Sequence, residues 1–125
     1  MSALKINVDM MRAMYDYFAH SEPFASWNMP PVEDIKFHIK RTARLYGWYA
    51  VAVSGRGRNR KVEHHITISS GRHGHTDTFT RTMAHEMIHL IEERNCLSVN
   101  AAHGPVFKKL AQEVAEHHGF DPLAL

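Results

Sequence analysis

The stretch Thr82-Met83-Ala84-His85-Glu86-Met87-Ile88-His89-Leu90 constrains this chain more than any other, because two histidines stand four residues apart with a glutamate directly after the first. At 3.6 residues per turn, positions four apart share one face of a helix, so His85 and His89 can each aim an imidazole nitrogen at a single ion. Glu86 projects beside the pair, where it can hold and deprotonate a water without itself being a ligand. This is the H-E-x-x-H pattern of zinc hydrolases. With eleven histidines in 125 residues the pattern can also arise by chance, so its surroundings must supply the rest.

A chain of 125 residues with 44% hydrophobic content can bury one core, and a single domain over residues 1–125 is expected. Its one cysteine, Cys96, excludes an internal disulfide framework and a cysteine-rich zinc ribbon, so a metal here falls to histidine or carboxylate donors. The N-terminus has no charged region followed by an apolar run, and no segment approaches the length of a membrane span. A soluble, cytoplasmic protein with no membrane partner is expected.

The net charge of +2 is unevenly distributed, since every charged residue between Ile35 and Val62 is basic. Lys36, Lys40, Arg41, Arg44, Arg56, Arg58, Arg60 and Lys61 form a block that can follow phosphates, which makes DNA a candidate partner through Arg56, Arg58, Arg60 and Lys61. The alternative is a solvated hairpin in which the same charges protect a sheet edge from aggregation.

Val8, Met11, Met14, Tyr15 and Phe18 recur at helical spacing, with Asn7 or Asp9 as a cap, and predict a helix over about 8–20. The proline-rich run 21–31 reads as a loop from which Phe24 and Trp27 cover the core. Ile35, Phe37 and Ile39 then alternate with Lys36, His38 and Lys40, as in a strand with one buried face. Two more strands fit 47–54 and 62–69, joined through a glycine-containing hairpin at 55–60. In the third, His64 shares a face with Val62, Ile66 and Ile68, which makes it a core or interfacial residue. After a loop at 70–75, Thr76 or Asp77 can cap the organising helix, with Phe79, Met83, Met87, Leu90 and Ile91 inward and Asn95 at its end. Pro105 then opens a last helix, which Gly119 stops. The fold class expected is α+β, with a three-stranded antiparallel sheet packed on about three helices.

A catalytic zinc usually has three protein ligands, so two histidines need a partner. The metzincin spacing is excluded, because it requires glycine at Glu92 and histidine at Asn95. Glu113 and Glu116 are candidates but fall on the polar side of the last helix. His103 is preferred, since the short turn after Asn95 can return the start of that helix to the His85 and His89 face.

Joined in this way, His85-Glu86-Met87-Ile88-His89 and His103-Gly104-Pro105-Val106-Phe107 resemble the SprT-like zinc metallopeptidase family, whose H-E-x-x-H helix is followed by an H-G-x-x-F element. The resemblance implies a minimal zincin-like fold, without the C-terminal cysteine-rich zinc ribbon of Spartan-related members. It implies zinc held by His85, His89 and His103, with Glu86 as general base. Relatives of Spartan cleave proteins crosslinked to DNA, which would give the basic block a purpose.

The reaction so implied is hydrolysis of a protein or peptide, Glu86 taking a proton from the attacking water and passing it to the leaving amine. An extended substrate can add to a sheet edge, with the third strand as first choice. Tyr46, Tyr49, His64, His73 and His75 remain open as donors to the developing oxyanion. The other histidines, among them His20, His38, His117 and His118, read as surface or ordinary core residues. Two other classes fit the same residues: a non-proteolytic nucleic-acid-binding module with a structural zinc, and a zinc hydrolase of another amide or ester, which would favour an enclosed pocket.

Overall fold

Each hydrophobic period becomes an element in the computed structural model, which describes residues 5–41, 46–70, 76–95, 103–121 and Leu125. The elements are α1 (Val8–Ala19), β1 (Ile35–Lys40), β2 (Gly47–Ser54), β3 (Lys61–Ser69), α2 (Thr76–Arg94) and α3 (Pro105–His118), with short 3-10 turns at Phe24–Trp27, Val32–Asp34 and Gly57–Asn59. The Asn7 side chain caps α1 by accepting from the Met10 amide at 2.8 Å. Met11, Tyr15 and Phe18 then bury one stripe of the helix, and the Tyr15 hydroxyl donates to the Pro30 carbonyl at 2.6 Å, tying the proline loop to it. Phe24 is fully buried edge-on to Phe18, as the loop reading required. The expected helix at 8–20, the strands and the last helix agree with these bounds to within about a residue. The side chains of Thr76 and Asp77, and the connections containing Arg44, His73, His75 and Cys96, lie outside the described residues.

The expected antiparallel sheet is corrected to a mixed one. Its order is β1-β3-β2: β1 pairs parallel with β3 from Ile35↔His64 to Lys40↔Ser69, and β2 pairs antiparallel with it from Gly47↔Ile68 to Ser54↔Lys61. Burial explains the order. In β3 not only Ile66 and Ile68 but also Thr67 and Ser69 are buried, so its second half is covered on both faces and belongs in the middle. β1 and β2 keep exposed residues and take the edges. Amides of Ser69 and Ser70 bind the carbonyls of Tyr46 and Lys40, holding both edge strands to the end of β3. With β3 paired on both sides, it cannot be the edge that receives a substrate, so that expectation is corrected as well.

Helix α2 packs against α1, α3, β2 and β3. Phe79, Met83, Ala84, Met87, Ile88 and Leu90 join Phe37, Ile66, Ile68, Met11, Phe107 and Val114 in one hydrophobic cluster. Helix and sheet come close together at Gly47. A Cβ there would lie 2.8 Å from the Thr67 carbonyl oxygen and 3.0 Å from Thr82 Cγ2. Only glycine lets β2 begin so near α2.

α3 begins at Pro105 and ends at Gly119, which takes the left-handed conformation at φ 76°. Near that end His118 is half-buried. Its ring lies 4.8 Å edge-on to Phe18, with Phe120 stacked at 6.2 Å. Burial lowers its pKa, a hydrogen bond with the Glu22 backbone pulling the other way and His117 adding to the lowering. The unfolded chain therefore takes up a proton at His118 below its ordinary pKa of 6.5 that the folded chain resists, so this residue removes stability as pH falls through that value. A His118→Leu variant should lose less stability than the parent between about pH 6.5 and 5. Urea unfolding at the two pH values checks this, and equal losses would contradict it.

Candidate metal centre

His85 and His89 stand one turn apart on α2, and His103 immediately precedes the first turn of α3. Their Nε2 atoms form a nearly equilateral triangle, 3.2 Å from His85 to His89, 3.2 Å from His89 to His103 and 3.1 Å from His103 to His85. All three rings rest on Phe107, with centroids 4.9, 4.7 and 4.8 Å from its own. Phe107 is buried on the first turn of α3, so the H-G-x-x-F spacing places a histidine and the floor beneath it in one structural unit.

Three imidazole nitrogens in mutual contact cannot all hydrogen-bond to one another, because each contact needs one N–H and one lone pair. His85 Nδ1 lies 3.1 Å from the main-chain oxygen of Leu125, which can only accept. Its proton is therefore on Nδ1, and its Nε2 presents a bare lone pair to the centre of the triangle. A cation there satisfies all three nitrogens together. Tetrahedral zinc bonds of about 2.0–2.1 Å place their nitrogens roughly 3.3 Å apart, close to the spacing observed. The donor set thus fits a divalent ion such as zinc, and the three histidines can hold a metal.

The electrostatics favour the ligand form. Burial lowers the pKa of His89 to about 4, with His85 and His103 adding to the effect. Burial also lowers His85, opposed by its bond to Leu125 and assisted by His103. Both imidazoles are neutral at pH 7, so a metal has no proton to displace from them.

Glu86 is buried on the side of α2 that faces Gly47, and burial raises its pKa to about 8. It borders a cleft of about 410 Å³ between Tyr46 and Gly47 on one side and Thr78, Arg81 and Thr82 on the other, with His85, His103 and Leu125 also lining it. His85, Glu86, His89 and His103 are thus brought together, while Glu113 and Glu116 are not part of the metal-holding group. Glu116 instead accepts from Gln112 at 3.3 Å. Among the expected oxyanion donors Tyr46 lines the cleft, whereas Tyr49 and His64 bind each other at 2.6 Å. His73 and His75 lie outside the described residues.

Arg56, Arg58, Arg60 and Lys61 are all exposed around the β2–β3 turn. That turn is at the other end of β2 from Gly47, roughly 23 Å along the strand. The structure does not bring them to the histidines. The sequence reading missed Thr78, Arg81, Thr82 and Leu125. The first three stand seven, four and three residues before His85, so the same helical period that paired the histidines could have found them.

Three convergent histidines and a buried glutamate at a cleft in an α+β fold define a candidate histidine-ligated metalloprotein. The chain matches the SprT-like family over residues 14–123 and belongs to it. No curated protein matches it significantly. Among the described residues no helix is long and apolar enough to cross a membrane.

Metal-free protein should take up one zinc ion per chain, and free zinc at 100 times its Kd should stabilise the fold by about 2.7 kcal/mol. His103→Ala should weaken that binding at least tenfold in a chelator competition. Unchanged affinity in the variant would remove His103 from the ligand set.

Proposed function

We propose that this protein is a zinc-dependent peptidase in which His85, His89 and His103 hold the metal and Glu86 is the general base. The observation that carries the reading is the convergence of three Nε2 atoms within 3.2 Å of one another beside a buried glutamate that borders an accessible cleft. Zinc, when bound, supplies the Lewis acidity that makes a water nucleophilic near neutral pH and polarises the scissile carbonyl. Glu86 takes a proton from the attacking water through its carboxylate and returns it to the nitrogen of the leaving amine. Burial alone keeps that carboxyl protonated at pH 7, and a cation beside it draws the pKa back toward the range a base requires. Tyr46 lines the cleft, and its hydroxyl is the donor we assign to the developing oxyanion.

The outer edge of β2 suits an extended substrate, since no strand pairs with it among the described residues and Gly47 brings it beside Glu86. The Ser69 amide bonds the Tyr46 carbonyl, so by alternation the amides of Gly47, Tyr49, Val51 and Val53 point away from β3. A peptide pairing there would run alongside α2 toward the histidines. DNA-associated proteins are the substrate class suggested by the exposed basic turn, whose distance from the cleft leaves room for a nucleic acid and a peptide to bind at once.

Glu86→Gln should abolish cleavage of an unstructured protein such as casein, with zinc content unchanged. Full activity in that variant would sink the assignment. Val51→Pro removes one outward amide without breaking a bond to β3, and should lower kcat/KM for peptides while the protein stays folded by circular dichroism. An unaffected kcat/KM would move the substrate off this edge.

A further inference from the structure

We propose that Glu92 is a positioning residue that fixes the tautomer and ring orientation of His89. Glu92 follows His89 by three residues on α2, so the two side chains share a helix face. Its side chain is only 4% exposed, and its Oε1 lies 3.4 Å from His89 Nδ1. That oxygen is fully buried and has no hydrogen bond in the present geometry. The two observations are compatible: the atoms are close enough for a hydrogen bond but the ring N–H is not aimed at the oxygen, and a reorientation of the two side chains aligns them.

A carboxylate in this place needs a reason. Its neighbours Ile88, Leu90 and Ile91 are fully or almost fully buried apolar residues, and another one at position 92 would avoid the cost of desolvating a charge. What an apolar residue cannot do is accept a hydrogen bond from Nδ1–H. With Nδ1–H directed at Glu92, His89 presents its lone pair from Nε2, the atom that meets His85 and His103. The main-chain oxygen of Leu125 serves His85 in this way, 3.1 Å behind its Nδ1. Both ligands on α2 then have an acceptor behind them, one a side-chain carboxyl from within the helix and one a main-chain oxygen from beyond α3.

This inference rests on the three-histidine metal reading, and its test separates the two. Zinc affinity of the full chain is measured by chelator competition for the parent, Glu92→Gln and Glu92→Leu. The tautomer of each histidine in the metal-free proteins is read from long-range nitrogen–proton NMR spectra. In the parent, His89 should carry its proton on Nδ1. Glu92→Leu should shift His89 toward the Nε2–H form, leave His85 unchanged, and weaken zinc binding 10- to 100-fold. Glu92→Gln, whose amide oxygen still accepts, should fall between the two. Loss of a buried carboxylate should leave the thermal midpoint of the metal-free protein the same or higher. If Glu92→Leu does not fold, the Gln variant is read by the same tautomer and affinity measurements. Affinity within twofold of the parent with His89 still protonated at Nδ1, or a weakening matched by a lower midpoint of the metal-free protein, would overturn the proposal. A parent protein that binds no zinc would overturn the metal reading and this inference together.

Discussion

A helix that must aim two imidazoles and a carboxylate at one place has to be gripped firmly on its remaining sides, and α2 is gripped by apolar contact with both the sheet and the other helices. Phe79, Met83, Met87, Ile88, Leu90 and Ile91 are each 2% exposed or less. Burying a side chain of this kind stabilises by about 1.5–3 kcal/mol, enough in sum to carry several polar groups into the same helix. Thr82, Glu86 and Glu92 are those groups. The same exclusion of water raises Glu86 and Glu92 and lowers His85 and His89, in every case favouring the uncharged form. A cation at the triangle would relieve what burial imposes, since it restores a charged partner to carboxylates that have lost their solvent. The packing that makes the helix rigid also leaves the site in want of an ion.

Much of this was legible before any coordinates. The i, i+4 relation of His85 and His89 and the apolar period of α2 are local facts, and the H-G-x-x-F element ties His103 to Phe107 within one turn of α3. Sheet order was less accessible. Alternation in β1 and β2 marks strands but does not say which neighbours which, and six residues between Lys40 and Gly47 fit a hairpin as readily as a passage to the far edge. The decisive signal was Thr67 and Ser69, small polar residues whose burial depends on what covers the second face of β3. Glu92 was read only as a departure from another spacing rule. Its proximity to His89 Nδ1 depends on side-chain direction, which the sequence period alone does not give.

The mixed sheet has consequences for how a substrate can reach the site. With β3 occupied on both sides, the edge beside α2 is β2, and its first residue is the glycine that lets strand and helix approach. The basic residues are attached to the same strand at its other end. Cleft and charged turn are therefore rigidly related through β2, although no basic side chain of the turn enters the cleft. In the proposed reaction this separates recognition of an anionic surface from the bond-breaking machinery. Charge at the turn would then set where the protein resides more than how fast it hydrolyses a free peptide.

Perturbed histidines alone would not have located the metal centre. His38, His64, His85, His89 and His118 all have lowered pKa values, with burial the leading cause in each. His64 resolves its burial through the Tyr49 hydroxyl at 2.6 Å, and the more exposed His38 is paired with His65, where Nε2 and Nδ1 meet at 2.9 Å as one donor and one acceptor. Those contacts are complete as pairs, because in each one proton serves one donor and one acceptor. The triangle of His85, His89 and His103 cannot be completed in that way, since each of its three contacts needs one N–H and one lone pair and the His85 proton is held on Nδ1 by Leu125. What separates a ligand histidine from a packed one in this chain is the direction of lone pairs. Desolvation prepares every buried imidazole to be neutral, but only convergence gives a cation somewhere to bind.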